Sequence, residues 1–175
     1  VNASEDDTVI FCGSGATAAI HKLIEIMNLR IPASLEDRYQ FQQNIPDAER
    51  PVVFIGPYEH HSNELPWRES IATLVPIPLN KAGQLDLDTL ECKLKTFEQR
   101  TLKIGSFSAA SNVTGIKTDV DAVARLLHRY NALSFWDYAA AAPYVGIDMT
   151  GQRTPLGDNS LDAVFISPHK FIGGP

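Results

Sequence analysis

Short apolar runs rich in β-branched residues recur along the chain, each bounded by Gly, Pro or Asn and followed by a helical pattern: TVIFC, PVVFIG, ATLVPIPL, TLKIGSFS, ALSFWDY and LDAVFIS. Runs of this length without polar alternation suit strands buried on both faces, and helices between them supply the cover. The pattern predicts an α/β fold, a three-layer α/β/α sandwich around a mixed, mostly parallel sheet. Between the runs, TAAIHKLIEIMNL sets Ile20, Leu23, Ile24 and Met27 on one helical face, and DVDAVARLLHRY does the same with Val120, Val123, Leu126 and Leu127. Asp119 or Thr118 caps the latter helix. The segment from Arg30 to Arg50 is polar, carries Pro32 and Pro46 and has no clear period. It reads as a long surface excursion with a short helix around LEDRYQFQQ.

With 175 residues, 44% of them hydrophobic, the chain is long enough for one core. Its net charge of -6 and scattered basic residues disfavour a nucleic-acid partner, whose binding rests on clustered Lys and Arg. Cys12 and Cys92 lie far apart with no CxxC or Cys/His ligand spacing, so neither a disulfide scaffold nor a structural zinc site is expected. A reducing compartment fits, cytoplasmic or organellar. No stretch approaches the ~18 apolar residues of a membrane span, and the opening VNASEDDTVIF has no signal-peptide pattern, so a soluble protein without a membrane partner is expected.

Parallel strands joined by helices bind ligands at their carboxyl ends, so the chemistry is sought just after each run. After TVIFC, the turn GSGATAA opens a helix; its free backbone N–H groups and the helix dipole suit a phosphate, and tight packing alone also explains the glycines. After PVVFIG come the adjacent His60 and His61. An imidazole here can stack on a planar cofactor or relay protons, while metal binding and an idle surface pair remain the competing readings. After TLKIGSFS, Asn112 is an amide donor or a turn former, and Gly115 marks a turn. Asp137 ends a strongly apolar strand, where an unpaired carboxylate is costly, so it needs a partner. A protonated pyridine nitrogen, a cap for the AAAAP segment or a metal would satisfy it. Lys170 follows LDAVFIS and precedes a Gly-Gly-Pro turn; a lysine ending a buried strand is a candidate to attack a carbonyl, although most lysines are simply solvated.

In this order, and above all through EHHSNELPW and the pairing of SNVTG with SPHKFIGGP, these segments resemble the large domain of fold-type I pyridoxal 5′-phosphate enzymes. The similarity is greatest to the class V aminotransferases and their cysteine desulfurase and selenocysteine lyase branch, and it runs from Phe11 to Pro175. The resemblance implies that Lys170 binds pyridoxal phosphate as a Schiff base and later moves protons at the α-carbon of a small amino-acid substrate. It implies that Asp137 pairs with the pyridine nitrogen, that His60 stacks on the ring and that Asn112 contacts the ring or substrate. Ala16 (through its backbone), Thr17, Ser167 and His169 surround the phosphate. No metal is implied.

Two departures accompany the resemblance. The family often carries Gln three residues after the ring-nitrogen Asp, where it bonds the phenolic oxygen; here that position is Ala140. Such enzymes are also roughly twice as long, so residues 1–175 read as a fragment of the large domain. The expected remainder holds a further antiparallel strand, the substrate-carboxylate arginine, a phosphate contact from a homodimer partner and a small C-terminal domain. Neither Cys12 nor Cys92 matches a sulfur-accepting cysteine. The isolated fragment is therefore expected to be inactive. Two rivals stand beside the enzyme reading. One is a catalytically silent relative that keeps the sheet as a binding or assembly scaffold, and the other is a nucleotide-binding domain, for which GxGxxG is lacking.

Overall fold

The computed structural model describes residues 1–175, Arg153 by its backbone alone. In chain order it forms α1 (Gly15–Ile26), α2 (Ala33–Tyr39), β1 (Val52–Ile55), α3 (His61–Arg68), β2 (Thr73–Pro76), α4 (Leu87–Thr96), β3 (Lys103–Ser108), α5 (Val120–Arg129), β4 (Leu133–Asp137), β5 (Arg153–Thr154), β6 (Gly157–Asp158) and β7 (Ala163–Phe165). Five strands make one sheet in the order β2-β1-β3-β4-β7, every neighbouring pair parallel, and β5 with β6 forms a separate antiparallel hairpin.

The apolar runs become strands covered on both faces. Val52 and Phe54 of β1, with Phe107 and Trp136, pack against Leu90 and Leu94 of α4 and Val123, Leu126 and Leu127 of α5. Val53 and Ile55, with Ile104, Phe135 and Phe165, pack against Ile20 and Ile24 of α1 and Trp67 of α3. Alternate residues of each strand thus feed opposite layers, as the period of two requires. The predicted helix faces are the buried ones, with Leu23 and Met27 partly buried against the α1 side and Val120 against the other. Asp119 rather than Thr118 caps α5, accepting the Ala122 N–H at 3.0 Å. Asp86 caps α4 the same way through Thr89.

Two expectations need correction. Thr8–Cys12 is not a strand: it pairs with nothing among the described residues, and Val9, Ile10 and Phe11 are exposed by 77%, 55% and 94%. An apolar run carries strand propensity, but without a partner edge it gains neither ladder hydrogen bonds nor burial. The excursion from Arg30 to Arg50 does lie on the surface, but it is more ordered than the sequence suggests. It comprises α2, which begins before the expected helix, and 3-10 turns at Phe41–Asn44 and Asp47–Glu49.

The connection β1-α3-β2 runs toward one edge of the sheet, whereas β2-α4-β3 returns past β1 to its other side. The crossovers therefore diverge between β1 and β3, which opens a crevice at the carboxyl ends of those strands.

Candidate active site

The strand ends converge on a cavity of about 240 Å³. Ala16, Thr17, His60, Asn112, Asp137, Ser167, His169 and Lys170, the candidates singled out from the sequence, all line it. Ser14, Ser62, Ser108, Ala110, Ala139 and Ala140 complete the lining. Two larger grooves of about 550 and 580 Å³ lie elsewhere. The first gathers Asp86 and Asp119, whose carboxylates are already engaged as helix caps, and the second runs past the ends of β1 and β2 with Glu59, Glu64 and Arg68 in its lining.

One wall is the start of α1. Ser14 and Gly15 both take positive φ, 29° and 63°, and the first turn has no side-chain cap and no acidic residue. Its N–H groups and dipole therefore favour an anion. The Ala16 N–H donates to Ser167 Oγ at 3.0 Å, which fixes this turn to the chain just past β7. His169 packs on Gly15, where a Cβ would lie 2.8 Å from its Cε1. Lys170 is displaced from the position read from sequence: β7 ends at Phe165, and the lysine sits in an exposed 3-10 turn, Pro168–Lys170, at the cavity rim. The reason is Pro168, which has no N–H to continue a strand ladder and opens a turn instead.

The floor is formed by β3 and β4, on which Ser108 and Asp137 are register partners. Neighbouring residues in a parallel pair point to the same face, so both side chains rise into the cavity. Asp137 is buried, and the Ala139 N–H donates to one of its oxygens at 2.8 Å. This is the cap for the alanine segment that the sequence left open, and it occupies one oxygen of the pair. Burial pushes the Asp137 carboxyl above its ordinary value, against the pull of the Ala139 N–H and of Lys170 and His60. A buried, partly bonded carboxylate facing a cavity suits a cationic N–H donor.

On the opposite wall His60 caps α3: its Nδ1 accepts the Ser62 N–H at 3.2 Å and lies 2.7 Å from Ser62 Oγ. His61 is held 6.0 Å away, centroid to centroid, at 48°. Among the described residues no group of three or more His, Cys, Asp or Glu side chains is arranged to hold a metal. Asn112 is exposed at the rim, in the turn that Ser111 Oγ organises by accepting the N–H groups of Val113 and Thr114. Gly115 takes φ 72° in that turn.

Sequence reasoning passed over Glu59 and Ser108. Glu59 folds inward onto β3, accepting the Ser108 N–H at 2.9 Å, the Ser108 hydroxyl at 2.8 Å and the Asn63 amide at 2.6 Å. Burial pushes its carboxyl up to about 7, with the Asp137 charge adding to the shift. The available signal was its place: a carboxylate just after a fully buried strand faces the same desolvation argument that drew attention to Asp137.

The sequence model of the family described as aminotransferase class-V matches residues 1–175. The chain belongs to that family. It is 37% identical over 130 residues to a probable cysteine desulfurase of Halalkalibacterium halodurans, covering 72% of this chain and 29% of that protein. It is 29% identical over 177 aligned residues to a cysteine desulfurase of Synechococcus elongatus, covering 99% of this chain and 24% of that protein. Among solved structures, the NifS-like protein of Rickettsia africae superposes with a TM-score of 0.63 at 22% identity, over 92% of this chain and 36% of that one, and supports the fold. The chain thus spans less than a third of the length of these two curated relatives. Class V aminotransferases are pyridoxal-phosphate enzymes acting on amino acids, and the first family departure noted from the sequence, Ala140, falls on the cavity lining itself. Among the described residues no helix is long and apolar enough to cross a membrane.

Proposed function

We propose that the intact protein is a pyridoxal 5′-phosphate enzyme acting on a small amino acid, with cysteine desulfurase or selenocysteine lyase chemistry favoured over transamination, and with Lys170 as the lysine that holds the cofactor. The observation that carries this reading is the single cavity shared by Lys170, Asp137, His60, Asn112 and the α1 N-terminus. Its donor set fits the cofactor at both ends: an uncapped helix start for a phosphate, and a buried carboxylate with one oxygen already bonded for a pyridinium N–H. The bound cofactor supplies an electron sink for a substrate carbanion.

The chain's own residues divide the remaining work. Asp137 keeps the ring nitrogen protonated by pairing with its N–H. The first-turn N–H groups of α1, with Thr17, Ser167 and His169, bind and orient the phosphate, Ala16 by its backbone. His60, steadied by Ser62, lies against the ring and limits its motion, and Asn112 at the rim contacts the ring or the substrate. Lys170 gives and takes the proton at the substrate α-carbon. Cys12 and Cys92 lie outside the cavity lining, so a sulfur-accepting cysteine belongs to other parts of the intact protein. The names of the curated relatives favour the desulfurase reading, and a homodimer working in the cytoplasm or an organelle completes it.

The deciding experiment adds pyridoxal phosphate to the full-length protein and records the visible spectrum before and after borohydride reduction, with Lys170→Ala beside it. The expected result is an absorption fixed by borohydride and absent from the variant, followed by mass-spectrometric location of the adduct on Lys170. No adduct in the wild-type protein overturns the proposal in favour of a silent scaffold.

A further inference from the structure

Glu59 and Ser108 have no part in the roles just described, yet Ser108 lines the cavity beside Asp137 and Glu59 holds it from behind. All three hydrogen bonds that reach the Glu59 carboxylate come from donors: the Ser108 N–H to Oε1, and the Asn63 amide and Ser108 hydroxyl to Oε2. In this arrangement the single hydroxyl proton of Ser108 is turned away from the cavity, and the serine offers the cavity only lone pairs. A proton on Oε2 reverses the bond. The carboxyl then donates to Ser108 Oγ, and the hydroxyl proton is released toward the cavity.

We propose that Glu59 is a positioning residue whose protonation sets whether the Ser108 hydroxyl accepts or donates a hydrogen bond at the Asp137 end of the cofactor cavity. The inference deepens the proposed function and rests on it for the identity of the ligand. It supplies a hydroxyl donor at a cavity where the family's amide donor is replaced by Ala140.

The geometry is over-determined, as a switch of this kind requires. Asn63 is fully buried, and its Oδ1 accepts the Ser106 hydroxyl at 2.7 Å, while Ser106 Oγ accepts the buried Trp67 N–H at 3.1 Å. This chain of bonds ties α3 to β3 and fixes Asn63, the amide that donates to Glu59 Oε2, while the half-buried Glu59 borders the groove past β1 and β2 on its other side. Gly56, just past the end of β1, contributes as well, since a Cβ there would lie 2.8 Å from Glu59 Oε1. The charges around Glu59 are Asp137 across the sheet, the neighbouring His60, and Glu64 and Arg68 of α3, which pair with each other. Lys170 and His169 line the cavity on the far side of Ser108. Burial and Asp137 favour the protonated form, and the three donors oppose it, which brings the carboxyl to about 7, where both forms are populated near neutrality.

The test follows carboxyl groups by infrared difference spectroscopy as a function of pH in the full-length protein without cofactor, in wild type, Glu59→Gln and Ser108→Ala. The expected result is a protonated-carboxyl band titrating near pH 7 in wild type, absent in E59Q and shifted to higher pH in S108A, because the carboxylate has lost one donor. A band that titrates identically in wild type and S108A overturns the inference, as does one that persists in E59Q. Addition of pyridoxal phosphate then reads the cavity side: the visible spectrum of the bound cofactor shifts through the same pH range in wild type and is pH-independent there in E59Q. A cofactor titration near pH 7 that persists in E59Q also overturns the inference. Failure of the wild type to take up cofactor sinks the proposed function alone, and the infrared series still decides the coupling of Glu59 to Ser108.

Discussion

Gly15 supports the imidazole of His169: a Cβ at residue 15 would lie 2.8 Å from His169 Cε1 and equally close to Ser167 Oγ. The start of α1 and the chain beyond β7 meet only because residue 15 is glycine, and its φ of 63° adds a second demand for that residue. Gly15→Ala is expected to destabilise the fold by about 1–3 kcal/mol, from left-handed strain and the displaced ring. Gly115→Ala, at φ 72° with nothing near its Cβ, carries the strain alone and is expected to cost about 1 kcal/mol. Urea midpoints of the two variants check the difference, and equal midpoints would remove His169 from the account.

Asp137 is expected to trade stability for binding. Its carboxyl is held above the ordinary 3.8 chiefly by burial, so the native state keeps the proton longer than the unfolded chain, and stability falls as pH rises through that window. Asp137→Asn removes the desolvated charge and is expected to raise stability at neutral pH by on the order of 1 kcal/mol. The same change is expected to reduce turnover of the loaded enzyme by roughly 100-fold or more, since the ring nitrogen loses its counter-charge. A variant that is more stable and fully active would refute the pairing of Asp137 with the ring nitrogen.

How much of this was legible in the sequence depends on the range of the interaction. Val52 to Ile55 are all buried, and a run with no polar alternation announces a strand covered on both faces. The strand-end rule then brought Asp137, His60 and Asn112 to one place, because topology alone decides which ends meet, whereas the GSGATAA turn and Lys170 reach the same cavity without directly following a strand. The run Thr8–Cys12 misled because propensity is local and pairing is not; nothing within TVIFC says whether an edge awaits it. Glu59 was passed over for a related reason. Its meaning lies in bonds to Ser108, forty-nine positions away in the chain, and in the path through Asn63 to Ser106 and Trp67. Lys170 was placed correctly at the cavity but on the wrong element, since Pro168 turns the chain before the lysine is reached.

His128 should make stability depend on pH in the direction opposite to a paired carboxylate. Its Nε2 lies 2.9 Å from Asp162 Oδ2, the same oxygen that accepts the Ser134 N–H, and its Nδ1 lies 3.1 Å from the Asp158 carbonyl oxygen. The bond to Asp162 raises the imidazole above its ordinary 6.5, against partial burial. The native state therefore binds this proton more tightly than the unfolded chain does. Its contribution is fully present below pH 6.5 and is lost as pH rises through the raised value. Denaturation series from pH 5 to 9 are expected to show this loss in wild type and not in His128→Gln; parallel profiles would mean that the clamp between α5 and the start of β7 does not titrate in that range.

Gly105 and Leu127 should behave as one packing unit. A Cβ on Gly105 would lie 2.5 Å from Leu127 Cδ1 and 2.7 Å from both Leu127 Cδ2 and Phe107 Cε2, and Leu127 is 0% exposed. The glycine lets α5 settle directly on β3, the strand that carries Ser108 into the cavity. Gly105→Ala overfills this contact and is expected to cost about 1–3 kcal/mol, because a close-packed core has no room into which the leucine can move. Leu127→Ala leaves a cavity and is expected to cost about 2–5 kcal/mol. In the double variant the new methyl occupies part of the space the leucine vacated, so its loss should fall short of the sum by about 0.5–3 kcal/mol. Equilibrium unfolding of the four proteins closes the cycle. Strict additivity would show that α5 accommodates a side chain at residue 105 by shifting as a body, and a shift of that kind should also appear as a change in the hydrogen-bonded amides of β3.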